Sequence, residues 1–398
     1  MQRDSELSED DHAKNLAVAV ELKFLLPLLF DGNSDPEEED QRPPQRISAR
    51  LRYEEDAYRE QAYKAIESTI QQAGFSATTI QAILAENRME NQFWDSSWIV
   101  KKANSAEPGP DEKEISSNRY VWVSVEISSP KMPACDPNTY HNIKRVLNAL
   151  NGKHRLRANY TCEVHIHLGR IDGQPFSLPT LKRLGSFLWA AEPILRSIRN
   201  PKSPNYTNIY TWGSELRTFS RLAQKISEAT TQFDWQAAED IKNAKIQEIL
   251  GQVTPQDGQA MREIWQTETH QELGQLLSGP EKKYRRLGFN FSAFGLEDDR
   301  AQRSPRTIEF RIMEGTVQHD LILNWLSICT RIGKVALQSD SRFLSILSRL
   351  LRGLDSAGKN YEETPGCQGR MFRELMQDLG VPAAEFERLE MKVTSEHE

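Results

Sequence analysis

The segment from Glu163 to Gly169 limits the possible folds more than any other part of the chain. Its polar side chains, Glu163, His165 and His167, recur at every second position. In an extended strand, side chains two residues apart point to the same face of the sheet. The residues between them are apolar, so the pattern predicts a half-buried strand with one carboxylate and two imidazoles on its polar face.

Four further segments show the same alternation of polar and apolar side chains. A shift of one residue would turn their charged side chains toward the core, so the register of each strand is strongly specified. Five strands of this kind predict an α+β fold, in which helices cover one face of an antiparallel β-sheet. The four segments are Ala17–Phe24, Tyr120–Ser129, Arg286–Ser292 and Thr307–Ile312.

The open face of this sheet is the predicted active site. A face that is charged only for solubility carries Lys and Glu scattered at its edges, whereas His, Glu and Arg at aligned central positions are typical of a site. Five independent segments would direct such groups to one surface. The residues expected there are Glu21, Lys23, Glu126, Glu163, His165, His167, Arg286, Glu309 and Arg311.

Each of these features has a simpler explanation when it is taken alone. A single His-x-His strand more often carries two solvent-facing histidines than a metal site. Glu309 and Arg311 alone would most often be an ion pair on an exposed sheet face. The site prediction therefore depends on the coincidence of the five segments.

Acidic residues are concentrated at the start of the chain. The formal net charge is -7, and residues 1–40 hold 12 Asp and Glu against 3 Lys and Arg. The rest of the chain is close to neutral, so we expect no nucleic-acid partner. We expect residues 1–14 to be disordered and residues 31–48 to form a charged loop.

The cysteines and the apolar segments predict an intracellular, cytoplasmic protein. The four cysteines are widely separated and lack the paired spacing of zinc sites, which indicates reduced thiols. The longest apolar run, residues 16–30, is interrupted by Glu21, Lys23 and Pro27, so we expect no membrane-spanning segment and no membrane partner.

Helical periodicity predicts most of the remaining structure. We expect one catalytic domain over residues 15–352, with a helical insertion over residues 214–279, and a helical tail over residues 353–398. The other predicted helices span residues 55–73, 136–150 and 178–199, with two more over residues 318–351.

The order and spacing of the motifs resemble the amidoligase family. The resemblance runs from about residue 16 to about residue 338. The motifs that carry it are Ser124-Val125-Glu126-Ile127-x-Ser129-Pro130, Asn159-x-x-Cys162-x-Val164-His165-x-His167-x-Gly169 and Thr307-Ile308-Glu309-Phe310-Arg311-x-x-Glu314-Gly315-Thr316.

This family is similar to the glutamine synthetase and glutamate-cysteine ligase group of carboxylate-amine ligases. The resemblance implies a glutamine synthetase-like catalytic domain, with a curved antiparallel β-sheet and helices packed on one face. Its concave face would bind ATP, Mg²⁺ or Mn²⁺, a small-molecule or peptide carboxylate and an amine. ATP would convert the carboxylate to an acyl phosphate, and the amine would attack it to form an amide or isopeptide bond. Relatives of this fold often form oligomers.

The resemblance also implies roles for individual residues. Glu309 and Arg311 would be catalytic, with Arg311 at the transferred phosphate. The nucleotide- and substrate-binding residues would be Glu163, His167, Arg286 and Asn290. The metal ligands would be Glu21, Glu126, His165 and Glu309.

Three positions depart from the family pattern. This chain has Lys23 where an acidic residue is usual, Ala103 where Asp is usual and Glu163 where Gly is usual. An ammonium in place of a carboxylate changes the local charge by two units and should lower the affinity for a metal ion. Because Glu163 is predicted to share a face with Lys23, it is expected to pair with Lys23 or to replace the missing ligand.

Two alternatives differ from the ligase in class. A family member that has lost catalysis would serve as a binding or regulatory module. A metal-dependent hydrolase built on the His-x-His strand is disfavoured, because the alternation of strands and helices that such barrels need is missing and His270 and His319 fall in predicted helices.

Overall fold

The computed structural model describes residues 14–116, 119–204, 206, 214–229, 248, 253–280, 286–296, 305–357 and 365–394. The chain divides into two compact units. Unit 1 consists of Met1–Ala17, His167–Ile312 and Asn324–Glu398, and unit 2 consists of Val18–Ile166 and Met313–Leu323. The predicted domain boundaries stay predictions, and residues 1–13 of the predicted disordered segment lie outside the described residues.

The described strands form a mostly antiparallel, open sheet. They are β1 (Leu16–Phe30), β2 (Gln45–Ile47), β3 (Ala77–Thr79), β4 (Trp98–Lys101), β5 (Tyr120–Ser128), β6 (Met132–Pro133), β7 (Glu163–Arg170), β8 (Phe289–Asn290) and β9 (Ile308–Glu314). Their order is β3-β4-β5-β1-β7-β9-β8, and β2 and β6 pair with β1. The α+β class and the mainly antiparallel sheet are confirmed, although β1–β2 and β3–β4 are parallel pairs.

The described helices are α1 (Glu55–Gln72), α2 (Ile80–Ala85), α3 (Pro110–Ser116), α4 (Pro137–Lys153), α5 (Leu178–Arg196), α6 (Leu216–Phe219), α7 (Arg221–Ala229), α8 (Pro255–Gln266), α9 (His270–Leu276), α10 (His319–Ala336), α11 (Asp340–Ala357), α12 (Pro365–Asp378) and α13 (Ala383–Thr394). Helices α1, α4, α5, α10 and α11 match predicted helices to within about six residues at each end, whereas α2 and α3 were not predicted. Part of the predicted insertion, residues 230–247 and 249–252, lies outside the described residues. Among the described helices, none is long and apolar enough to cross a membrane.

The strand β1 is longer than the sequence predicts. It continues six residues past Phe24 and includes Pro27. It pairs with β5 from Glu21 opposite Ser128 to Leu29 opposite Tyr120. Its second half is buried on both faces, and a continuous apolar run lacks the alternation by which a strand is recognised.

Helices α1 and α4 build the core of unit 2. The acidic first turn of α1 suits the helix dipole, and the helix ends before Gly74, whose φ of 90° is the left-handed conformation of a helix C-terminus. Asp136 caps α4 by accepting from the backbone N–H of Asn138 at 2.9 Å. Helix α1 packs on α4, β3 and β4 through side chains such as Ile66 and Ile70. Each such burial stabilises the fold by about 1.5–3 kcal/mol.

The predicted charged loop after β1 is held in place by a buried arginine. Arg155 is 3% exposed and donates through Nη1 to Asp35 Oδ1 at 2.8 Å and to Tyr120 Oη at 2.7 Å. Its Nε donates to the carbonyl of Arg42 at 2.6 Å, and its Nη2 donates to the carbonyl of Asp40 at 2.9 Å. The loop then returns to the sheet as β2, a strand that the sequence analysis missed.

Helix α5 is the core helix of unit 1, where it packs on α8, α9, α11 and α12. Its buried Glu192 accepts from the backbone N–H groups of Leu216 and Arg217 at 2.7 and 2.8 Å, and so caps α6. Burial raises the pKa of Glu192 to about 7.

The predicted strand over residues 286–292 is mostly wrong, since β8 contains two residues rather than seven. The backbone N–H of Gly288 donates to Ser214, and that of Ser292 donates to the Asn290 side chain. The N–H of Gly288 thus donates outside the sheet, while its carbonyl still accepts from the N–H of Arg311 at 2.7 Å.

Replacing Arg155 by Met should lower the free energy of unfolding by roughly 3 kcal/mol, because it removes a buried guanidinium and leaves the partly buried Asp35 without that partner. The Arg155 hydrogen bond lowers the pKa of Asp35 from 3.8 to about 2. The stability that this carboxylate contributes is therefore present above pH 3.8 and is lost as the pH falls toward 2.

Urea unfolding at pH 7 and pH 3 measures the loss of stability in Arg155→Met and the pH dependence of the wild-type stability. The exposed Arg50 gives a control variant, Arg50→Met, which should leave both values close to those of the wild type. Equal stability of Arg155→Met and Arg50→Met would contradict the structural role of Arg155.

Candidate active site

A row of alternating charges crosses four strands of unit 2. Lys101 of β4 lies opposite Glu126 of β5, and Glu126 lies opposite Lys23 of β1. Lys23 Nζ in turn donates to Glu163 Oε2 of β7. We call these four residues the charge row. The prediction that Lys23 and Glu163 share one face is confirmed by this ion pair.

The charge row is largely removed from solvent, since Lys23 is 8%, Glu126 7% and Glu163 1% exposed. Buried charges are tolerated only when they are paired and hydrogen-bonded. Because the sign of the charge alternates along the row, each side chain has an oppositely charged neighbour. The burial of each charge therefore depends on its neighbours in the row.

Lys101 is the member of the charge row that the sequence analysis missed. Its Nζ lies 3.1 Å from Glu126 Oε1 and 2.8 Å from Glu90 Oε1. Burial acts to lower the pKa of this ammonium, but Glu126, Glu21 and Glu90 outweigh it, and the pKa is raised. The sequence alone did not show this, because the pairing of β4 with β5 is what brings Lys101 to Glu126.

Glu126 has an altered acidity in this setting. Burial and then the nearby Glu21 raise its pKa to about 7, against the opposite effect of Lys101 and Lys23. Two ammonium groups thus flank a carboxylate that the resemblance assigns to a metal ion. That assignment stays a prediction.

His165 lies between two carboxylates and is fully buried. Its Nδ1 lies 3.1 Å from Glu21 Oε1, and its Nε2 lies 2.8 Å from Glu163 Oε2. A neutral imidazole can donate through only one of its nitrogens. In that neutral form the other nitrogen presents a lone pair to a carboxylate oxygen, and a cation bound by both atoms would satisfy them, whereas an imidazolium would donate to both carboxylates.

The distance between Glu21 and His165 fits a shared metal ion. Two neighbouring ligands of an octahedral ion, each about 2.1 Å from it, lie about 3.0 Å apart. The Oε1–Nδ1 distance of 3.1 Å is compatible with this value and equally with a direct hydrogen bond. The carboxylate and imidazole donors suit Mg²⁺ or Mn²⁺.

A packed cluster supports the start of β7. Cys162 lies in an apolar cluster with Leu25, Ala103 and Ala106. Ala103, where the family usually has Asp, is 1% exposed and offers no ligand. A Cβ on Gly315 would lie 2.3 Å from the Cys162 Cβ, so only glycine fits there. Burial raises the pKa of the Cys162 thiol to about 11, which indicates a packing role.

Unit 1 brings together three of the predicted residues. Glu309 is 7% exposed and faces Asn290 across the β8–β9 pair. Its Oε2 accepts from Asn290 Nδ2 at 2.7 Å, and its Oε1 accepts from Arg311 Nη1 at 2.6 Å. The carboxylate therefore holds the guanidinium of Arg311 in a fixed position.

The other two predicted residues of unit 1 differ in their settings. His167 Nδ1 lies 3.0 Å from Thr307 Oγ1, a partner for which no role was predicted. A Cβ at Gly169 would lie 2.8 Å from Thr307 Cγ2, so the glycine allows this close approach. Arg286 is exposed and lies before β8, apart from the buried Glu309 and Asn290.

Comparison with known proteins gives one match. A family model described as "Putative amidoligase enzyme" matches residues 44–333. No curated protein and no solved structure matches the chain. The matched span contains Glu126, His165 and Glu309, whereas Glu21 and Lys23 on β1 precede it. The match indicates ligase activity in general. Because the matched residues make up well over half of the chain, the chain belongs to the amidoligase family.

Proposed function

We propose that this protein is an ATP-dependent ligase with a glutamine synthetase-like catalytic domain. It joins the carboxylate of a small molecule or peptide to an amine, through an acyl phosphate. Family membership supports the ligase class. The observation that carries the rest is the Glu21–His165 pair at 3.1 Å, on strands where the resemblance expects metal ligands.

The reaction needs ATP because joining a carboxylate to an amine in water is uphill. Transfer of the γ-phosphoryl group to the carboxylate oxygen releases ADP and creates a good leaving group. The amine nitrogen then attacks the acyl carbon, the C–N bond forms, and inorganic phosphate leaves. The chain has one Gly-x-x-x-x-Gly-Lys sequence, from Gly353 to Lys359, but Asn360 replaces the Ser or Thr of a phosphate loop. Its first five residues end helix α11 and do not follow a strand, so the sheet itself would bind the nucleotide.

Glu21 and His165 would hold the divalent ion. When bound, Mg²⁺ or Mn²⁺ would offset negative charge on the phosphates of ATP. Glu163 Oε2 lies 2.8 Å from Nε2 of the His165 imidazole, where the negative charge would favour a proton on Nε2 and leave the lone pair of Nδ1 for the ion. The resemblance adds Glu126 and Glu309 as further ligands.

Arg311 would stabilise charge on the transferred phosphoryl group. Its guanidinium is held by Glu309, which in turn accepts from Asn290. A donor that is fixed before the reaction requires no reorganisation as charge develops on the phosphoryl oxygens. His167, Arg286 and Glu163 keep their predicted nucleotide- or substrate-binding roles as part of this proposal.

The second candidate function is a binding or regulatory module without catalysis. The charge row favours it, because Lys23 and Lys101 already neutralise Glu163 and Glu126, two carboxylates that a metal-dependent enzyme could use. The two candidates differ in one measurable property, which is turnover of ATP in the presence of a carboxylate and an amine.

The wild-type chain should release ADP only when a carboxylate and an amine from a pooled set are both present with ATP and Mg²⁺. Glu309→Gln should reduce this rate at least about 100-fold, because it removes the charge that holds Arg311. A coupled assay for ADP measures the rate. The exposed Glu39 gives the control variant Glu39→Gln, which should keep the full rate.

Absence of amine-dependent ADP release across the pool would favour the binding module. A rate in Glu309→Gln equal to that in Glu39→Gln would remove Glu309 from the reaction.

Glu21→Gln should weaken Mn²⁺ binding roughly tenfold or more, which corresponds to about 1.4 kcal/mol. The amide keeps the shape of the side chain and removes its charge. Titration of Mn²⁺ followed by electron paramagnetic resonance of the free ion measures the affinity. Glu60→Gln, on the exposed side of α1, is the control. Equal affinities of the two variants would contradict the assignment of Glu21.

A further inference from the structure

In unit 2, three acidic and two basic side chains form a connected cluster that includes His165. Two of the carboxylates have ammonium partners, since Glu163 pairs with Lys23 and Glu126 pairs with Lys101. The third carboxylate, that of Glu21, faces His165 Nδ1 and is near enough to Lys101 to raise the pKa of that ammonium. The three acids therefore have different electrostatic settings although they are close in the fold.

Glu163 is engaged on one oxygen by several donors. Its Oε2 accepts from Lys23 Nζ, lies 2.8 Å from His165 Nε2, and lies 3.5 Å from the Ser105 hydroxyl. At 1% exposure this carboxylate has little contact with water. Its charge is balanced by Lys23, so it is poorly placed to bind a divalent ion as well.

The ammonium group of Lys23 is held in place by its burial and by its acidic neighbours. It is 8% exposed, lies opposite Glu126 in the β1–β5 pair and donates to Glu163. A mobile metal ion and a buried ammonium repel each other, and the repulsion is strong where water is excluded. The ammonium therefore competes with any cation that approaches Glu163.

We propose that Lys23 is a built-in cation of this site, so that the site binds a single divalent ion, at Glu21 and His165 Nδ1. Glu163 is the counter-ion of Lys23 and positions His165, and it is not a ligand for a second ion. The inference rests on the metal binding in the proposed function, and it does not require the ligase reaction.

The number and affinity of bound Mn²⁺ ions test this inference on the full-length protein, with Mn²⁺ alone as the probe. The wild-type protein should bind one Mn²⁺ ion with high affinity. Lys23→Gln removes the repelling charge and should tighten Mn²⁺ binding at least about fivefold or admit a second ion. Glu163→Gln keeps an acceptor for His165 but leaves Lys23 unbalanced, and it should weaken binding at least about tenfold. These changes follow from the charges removed.

The double variant with Lys23→Gln and Glu163→Gln gives the sharpest comparison. Because the two removed charges cancel, its affinity should return to within about threefold of wild type, with one ion bound. If the pair were only structural, both single variants would lose stability without opposite shifts in affinity. The matched control is Lys131→Gln, which breaks the more exposed Lys131–Asp95 ion pair and should leave Mn²⁺ binding unchanged.

Two tight ions in the wild type, or single variants that shift the affinity in the same direction, would overturn the inference. Circular dichroism checks that each variant folds, and if one single variant does not, the ion count in wild type and the double variant decides. The ADP assay separates this inference from the proposed function. One ion with opposite shifts but no ADP release would refute only the ligase, whereas ADP release with two ions would refute only the inference.

Discussion

The ion pair between Lys23 and Glu163 is the interaction on which the arrangement of unit 2 depends. It joins β1 to β7 and places one carboxylate oxygen against both an ammonium and the His165 imidazole. Loss of either partner leaves an uncompensated charge in a region that excludes water, which commonly costs about 3–5 kcal/mol. The same imidazole approaches Glu21 through Nδ1 at 3.1 Å, so the ion pair and the Glu21–His165 contact lie side by side.

The alternation of side chains along each strand made much of the unit 2 site predictable from the sequence. In β7, a spacing of two puts Glu163 and His165 on one face, and in β1 the same rule aligns Glu21 with Lys23. Lys23 and Glu163 carry opposite charges at positions where the family usually has other residues, and this indicated that they form an ion pair. The sequence could not show which strands are neighbours, so the place of Lys101 beside Glu126 emerged only from the register of β4 and β5.

Other parts of the fold depend on contacts that leave no periodic signal. Next to the short β8, backbone N–H groups donate to Ser214 and to the Asn290 side chain, and alternation cannot reveal such contacts. The loop after β1 is ordered by Arg155, more than 100 residues along the chain. Arg286 fits the polar pattern of a strand, yet it lies outside β8 and is exposed. The alternation of side chains predicts which residues share a face of a strand. The end of the strand depends on contacts with residues that are distant in the sequence.

The reaction proposed for this chain proceeds through an acyl phosphate, and transfer of ¹⁸O tests that intermediate most directly. When a carboxylate labelled with ¹⁸O is joined to an amine, the oxygen that receives the phosphoryl group leaves with the phosphate. Mass spectrometry of the released inorganic phosphate should therefore find one ¹⁸O atom per phosphate. Product formation with unlabelled phosphate would contradict the mechanism proposed for this member of the amidoligase family.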